Sequence, residues 1–321
     1  MTSQRSPNDD LVIGVDGGGT KTVAWVAPLD DPTNTIVLGR GEGGPGNPRA
    51  VSYEFAQMTI GFAVAQALAD AGRPREPVAA AHLGLAGAGR EIEQTRMEDW
   101  ACGSGAVARR VRVTGDAEPV LAAGSPDHWG IALIGGTGSL AWGRNQKGDV
   151  ARTGGWGYLI GDEGSAHSIV TAGLRAAMQS YDGRGPATAL LPALQQRLGA
   201  AEPSDLIDIL YGPDMTRDRI AACAEVVFEA SDDPVAAQII AQAADDLAAM
   251  VATLAERLDL SPGGYPLAIA GSLLLNQESL RRAVLERLTT QHANPAEVTL
   301  VTEPVRGAVA LARRLVSVPD A

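Results

Sequence analysis

Two stretches of the chain share one pattern: an apolar run, a glycine-rich break and a second apolar run that carries a tryptophan. The first, "LVIGVDGGGTKTVAWVA", spans residues 11–27, and the second, "GIALIGGTGSLAWGRN", starts at Gly130, roughly 120 residues later. In the first, Thr22, Val23, Trp25 and Val26 resume a β-branched and aromatic run directly after the glycines, which predicts the return strand of a hairpin. Between the hairpins, a helical period over about 51–71 stops at Gly72, and "VAAAHLGLA" reads as a buried strand entering the turn "GAGR". "RVRVT" predicts a further strand ending at "GDAEP", with Pro119 in the first turn of the next helix. The segment "GRGEGGPGNPRA" is too rich in glycine and proline to predict an element.

After the second hairpin, "GGWGYLIGDEGSAHSIVTAGLRAAM" predicts a glycine-broken loop that opens into a helix near Ser165. A mostly helical stretch over about 188–260 follows, including an amphipathic run over 235–258, and reads as packing scaffold. "PLAIAGSLLLNQESLRRAVLERL" predicts a buried strand, a Gly-Ser turn and a helix capped by Asn276 with Glu278 in its first turn. A last helix covers about 305–316. One hairpin design used twice among alternating strands and helices predicts two related α/β domains facing each other, with a ligand in the cleft.

The glycine turns fit neither common nucleotide template. Gly14 and Gly19 have the spacing of a P-loop, but Thr20 occupies the lysine position and Lys21 comes one residue late. A dinucleotide fingerprint needs a helix straight after the turn, and a strand follows here. Successive glycines let backbone N–H groups converge on an anion, and Thr20, Lys21 and Thr22 add donors. An ordinary tight hairpin stays open as the alternative.

Composition narrows the partners. The chain has 321 residues, 45% of them hydrophobic, and a formal net charge of −12. That is enough for about two domains and a poor match for nucleic acid or an anionic membrane. A small molecule is the expected partner. The two cysteines, Cys102 and Cys223, lie in no C-x-x-C pattern, so no disulfide framework or metal site is expected. No apolar run approaches the ~20 residues of a membrane span, and "MTSQRSPNDD" lacks the apolar core of a secretory signal, so a cytoplasmic location is expected.

The ordered set "VDGGGTKT", "GLAGAGR", "VTGDAEP", "IGGTGS", "GGWGYLIGDEGSAHSI" and "LAIAGSLLLN" resembles the N-acetylglucosamine kinase branch of the actin-like sugar kinases, the BadF/BadG/BcrA/BcrD ATPase group. The likeness implies duplicated ribonuclease H-like domains with an interdomain cleft, ATP with Mg²⁺, transfer of the γ-phosphoryl group to a sugar 6-hydroxyl, and a homodimer. The domain expectation is a mobile tail over 1–10, an N-terminal domain over 11–115 on which a C-terminal helix at 305–317 packs back, and a C-terminal domain with a helical insertion over 116–304. By the same resemblance Gly18, Gly19, Thr20 and Lys21 form the first phosphate turn, Thr137, Gly138 and Ser139 the second, and Gly271 and Ser272 the adenosine motif. Asn47, Gly155, Trp156 and Asp162 would hold the sugar.

The residues themselves leave plainer alternatives. Asp16 ends the first strand, where a carboxylate can hold the water shell of Mg²⁺, or can close an Asx turn. Asp116 can orient a sugar hydroxyl and take its proton as the general base, or can cap a helix. Trp156 can wall a sugar or fill a core, and Gly271 can admit an adenine or only close strand–helix packing. Some relatives carry a serine toward the acetamido group, where this chain has Ala86 or Gly87, so glucosamine or a muramic-acid-type sugar is the alternative to N-acetylglucosamine. Related activases of acyl-CoA enzymes need cluster cysteines near the second hairpin, and sugar-responsive repressors need a DNA-binding module before the first. The sequence has neither. A silent sugar-binding protein is disfavoured by Asp16 and Asp116 together.

Overall fold

The computed structural model describes residues 8–260 and 264–317. They form two compact units, one running to His128 and resuming at Glu303, the other from Trp129 to Thr302.

The first unit starts with β1 (Leu11–Gly17), β2 (Thr22–Pro28) and β3 (Gly39–Gly43), followed by α1 (Tyr53–Asp70), β4 (Val78–Leu85), α2 (Glu91–Cys102), β5 (Ala108–Thr114) and α3 (Ala117–Gly124). Its sheet runs β3-β2-β1-β4-β5: β1–β2–β3 is an antiparallel meander, and β4 and β5 add in parallel. β1 is buried along nearly its whole length, as a central strand must be. β3 lies inside the segment whose glycine content predicted no element. Its alternate glycines are what form it: a Cβ at Gly39 would stand 2.1 Å from Ala67 O, and one at Gly41 2.0 Å from Ala63 O. Side chains there would push α1 off the sheet, so the glycines permit a helix to lie on the strand's backbone.

The second unit repeats the plan with β6 (Gly130–Gly135), β7 (Ser139–Arg144) and β8 (Val150–Gly154), then an all-helical run of α4 (Ala166–Tyr181), α5 (Leu190–Leu198), α6 (Asp205–Leu210), α7 (Arg217–Ala221), α8 (Ala224–Glu229) and α9 (Pro234–Arg257). β9 (Pro266–Ala270), α10 (Ser272–Asn276), α11 (Glu278–Thr290) and β10 (Glu297–Leu300) complete it. The sheet order β10-β9-β6-β7-β8 is that of the first unit read from the other edge. The fold is therefore a duplicated ribonuclease H-like α/β architecture with its extra helices in the second copy.

Four sequence expectations need amendment. Residues 1–7 of the expected tail lie outside the described residues, while Asn8 is buried and its side-chain amide donates to Pro74 O and Glu76 O at 3.0 and 2.9 Å. Asn276 ends the short α10 instead of capping α11, whose cap position falls to Gln277 without a side-chain bond. By length and composition α9 is long and apolar enough to cross a membrane. Its Ala243, Leu247, Val251 and Leu254 are nonetheless core residues of the second unit. Finally, the division between the units falls after His128, past Asp116. The helix α3 stays with the first unit because α12 (Pro304–Ser317) packs against it and against β1, burying Val305, Val309 and Ala312 on Val12, Trp25 and Ala80.

Candidate functional site

In the first unit three loops are stitched together at the C-terminal ends of β1 and β4. Gly18 N donates to Lys21 O at 2.9 Å, closing the hairpin, and Gly46 N donates to Gly18 O at 3.0 Å. Ala86 N donates to Gly17 O at 2.9 Å, and the Thr22 hydroxyl to Gly44 O at 2.8 Å. This leaves Gly19, Thr20 and Lys21 exposed at the tip, with Gly18 half-buried behind them.

Two carboxylates sit beside that turn. Asp16, at the end of β1, is half-buried, and its carboxyl is pushed up to about 7 by burial and by the nearby Asp116 carboxylate, with Lys21 pulling the other way. Asp116 holds the N-cap position of α3 but makes no side-chain capping bond. Burial raises its carboxyl as well, against the pull of its own backbone amide and that of Ala117. Two acids both raised by burial, with Asp116 adding to the cost of ionising Asp16, form a pair ready for a cation or a proton. Among the described residues no cluster of three or more His, Cys, Asp or Glu could hold a metal. A pair suits Mg²⁺, which keeps several waters and takes one or two carboxylates.

Asn47 spends its Oδ1 on the backbone amides of Arg49 and Ala50, at 2.9 and 3.2 Å. The same oxygen lies against Gly87, where a Cβ would come within 2.1 Å of it. Gly87 has φ +79, so this contact and that backbone both call for glycine.

In the second unit the turn between β6 and β7 is closed by Gly136 N donating to Gly138 O at 2.9 Å. It is wired to the glycine-broken loop: the Ser139 hydroxyl donates to Glu163 O at 2.6 Å, Gly155 N to Ser139 O at 3.0 Å and Ala166 N to Gly136 O at 2.9 Å. Asp162 adopts φ +59, a conformation uncommon outside glycine, and its carboxylate is buried beneath the turn. Its Oδ1 lies 3.5 Å from Ser139 N, while Oδ2 pairs with Arg217 at 3.2 Å without a hydrogen bond. Trp156 is 64% exposed, which rules out a core role, and Arg152 stacks 4.8 Å over its ring. Tyr158, Leu159 and Ile160 continue this exposed apolar stretch.

Gly271, at φ +92, presses its Cα on the backbone of Gly135, and Ser272 opens α10 beside Gly136. The expected adenosine motif and second phosphate turn are thus neighbours. Two residues that the sequence assigned to scaffold join them: the Thr137 hydroxyl donates to Asp218 at 2.8 Å, and the Arg217 guanidinium lies against Gly138. They sit on α7, far along the chain, with no motif around them.

Comparison with known proteins places the chain in a family. A sequence profile of the BadF/BadG/BcrA/BcrD ATPase family matches residues 13–312. The chain is 33% identical over 304 residues to the N-acetylmuramic acid/N-acetylglucosamine kinase of Clostridium acetobutylicum, covering 94% of this chain and 98% of that one. It is 26% identical over 315 residues to the N-acetyl-D-glucosamine kinase of Dictyostelium discoideum, with the same coverage of both chains. Its fold matches the crystal structure of a Chromobacterium violaceum protein proposed to be an N-acetylglucosamine kinase, with a TM-score of 0.75 at 24% identity, over 95% of this chain and 100% of that one.

Proposed function

Because the chain belongs to the BadF/BadG/BcrA/BcrD ATPase family, we propose that it is an ATP-dependent kinase that transfers the γ-phosphoryl group to the 6-hydroxyl of an amino sugar, N-acetylglucosamine first. The observation that carries this reading is the Asp16–Asp116 pair beside the first glycine turn, with Asp16 held at about 7. Paired acids of unequal environment beside a phosphate-binding turn suit phosphoryl transfer, which needs positioned charge and one proton acceptor.

In the reaction, the sugar O6 forms its bond to the γ-phosphorus as the bond from that phosphorus to the ADP oxygen breaks. Asp116 orients the hydroxyl and takes its proton. The exposed amides of Gly19 and Thr20, with the Lys21 ammonium, hold phosphate oxygens on the first unit, where Gly18 closes the turn, and the amides of Thr137 and Gly138 supply donors on the second, where Ser139 anchors the turn. Gly271 and Ser272 receive the adenosine. Asn47 offers its free Nδ2 to the sugar, Trp156 and Gly155 give it a flat apolar wall, and the Asp162 Oδ2, buried without a hydrogen bond, can accept from a hydroxyl. Asp16 is the residue that would hold Mg²⁺, through water. When bound, the ion neutralises charge on the phosphates. By analogy with the family, a homodimer is the working assembly.

An ADP-release assay over N-acetylglucosamine, glucosamine, N-acetylmannosamine, N-acetylmuramic acid and glucose tests the reading. Amino sugars should be turned over well ahead of glucose. Equal rates on glucose and the amino sugars would contradict the sugar site proposed around Asn47 and Trp156.

A further inference from the structure

The second glycine turn carries a cation that the kinase reading leaves unused. Arg217, on α7, brings its Nη2 to 3.2 Å from the buried Asp162 Oδ2, an ion pair without a hydrogen bond. Its side chain is 40% exposed, and its guanidinium stands 5.7 Å over the Tyr158 ring. Among the described residues no hydrogen bond takes up any of its side-chain N–H donors. A guanidinium held by charge and a ring contact alone keeps its planar fork of donors available to an anion.

Gly138 is the residue that lets this group onto the turn. It is not at a left-handed φ, so its backbone does not call for glycine. Space does: a Cβ there would stand 2.6 Å from Arg217 Nη2 and 2.9 Å from Asp162 Oδ2. Asp162 is buried beneath the turn and has nowhere to go, so a side chain at 138 would expel the guanidinium. The charges lead to the same place. Asp218 stands at this turn as well, accepting from the Thr137 hydroxyl at 2.8 Å, so two carboxylates border a turn that is proposed to receive polyphosphate. Both repel it, and Arg217 is the cation placed among them.

Resting on the kinase reading above, we propose that Arg217 is a further catalytic residue, whose free N–H donors meet the oxygens of the γ-phosphoryl group beside the Thr137 and Gly138 amides while Asp162 anchors it by charge. Charge on those oxygens is what phosphoryl transfer requires the protein to stabilise. The carboxylate that anchors Arg217 is the one proposed to accept a sugar hydroxyl, so sugar and phosphoryl group are tied through a single side chain.

The test compares the parent with Arg217→Gln and Arg217→Lys in two assays. Calorimetry with Mg²⁺ reads the affinity for ADP and for a non-hydrolysable ATP analogue, ligands that differ by the γ-phosphoryl group. ADP release with N-acetylglucosamine reads kcat and the two KM values. In Arg217→Gln the analogue should bind roughly ten- to a hundredfold more weakly, the loss expected for charge-assisted hydrogen bonds, while the affinity for ADP stays within about threefold. Turnover should fall roughly a hundred- to a thousandfold, the scale of one donor aimed at transition-state charge. Arg217→Lys keeps a cation beside Asp162 but not the fork, and should recover part of both losses. Should Arg217→Gln fail to fold, a smaller loss of the analogue alone in Arg217→Lys carries the same test. Equal weakening of ADP and analogue, no weakening of either, or a change confined to KM for the sugar would overturn the inference. The binding assay needs no turnover, so it decides Arg217 separately from the kinase reading, which a parent that phosphorylates no amino sugar would overturn.

Discussion

The Thr137 hydroxyl donates to the Asp218 carboxylate at 2.8 Å, tying the second glycine turn to a helix far along the chain. Asp218 therefore fixes the rotamer of a residue proposed to face the polyphosphate. Asp218→Ala should raise KM for ATP by about three- to tenfold, the scale of one lost hydrogen bond. KM for the sugar should move much less. A kinetic comparison of the two KM values decides it, and equal changes in both would assign Asp218 to general stability.

Asp116→Asn keeps the shape of the side chain and removes its basicity. ATP and sugar binding, read by calorimetry, should stay near the parent's while turnover falls by roughly two to four orders of magnitude. Turnover within threefold of the parent would remove Asp116 from the role of base.

Asp16 makes stability depend on pH in a direction opposite to the usual carboxylate. Its folded value of about 7 lies above the ordinary 3.8, so between those values the folded chain binds more protons than the unfolded one and stability falls as pH rises. His82, kept neutral by burial down to about 3, acts in the opposite direction below its ordinary 6.5. The informative quantity is therefore the difference between variants. Asp16→Asn should become more stable relative to the parent as pH rises from 4 to 7 in urea melts without metal. At pH 8, Mg²⁺ should raise Tm in the parent more than in Asp16→Asn. A pH-independent difference would remove the coupling.

The glycines of β3 yield a packing prediction. Gly41→Ala would put a methyl group 2.0 Å from Ala63 O, and should cost about 1–3 kcal/mol or more by urea denaturation as α1 is displaced. Gly61→Ala, within α1, meets only Trp100 at 3.8 Å, and should be neutral or stabilising by up to ~1 kcal/mol. Similar effects at the two positions would contradict the account of why β3 exists.

What the sequence disclosed follows from how local each signal was. The hairpins, Asp16 and the strand before Gly271 were legible because strand period and turn chemistry lie in adjacent residues. β3 was hidden because its glycines, too many in sequence to predict an element, are explained only by the helix that lies on them. Asp218 and Arg217 carried no signal, since only the folded chain brings α7 to Thr137 and Gly138. Asp116 was legible as a candidate but not as a choice between cap and base. The missing capping bond and the raised carboxyl came from the structure.

The most direct measurement is the position of the new phosphate. The chain is incubated with ATP, Mg²⁺ and N-acetylglucosamine, and the sugar product is examined by phosphorus and carbon NMR. The account predicts stoichiometric ADP and a phosphomonoester coupled to C6. Phosphate on the anomeric oxygen, or ADP and free phosphate with the sugar unchanged, would contradict it.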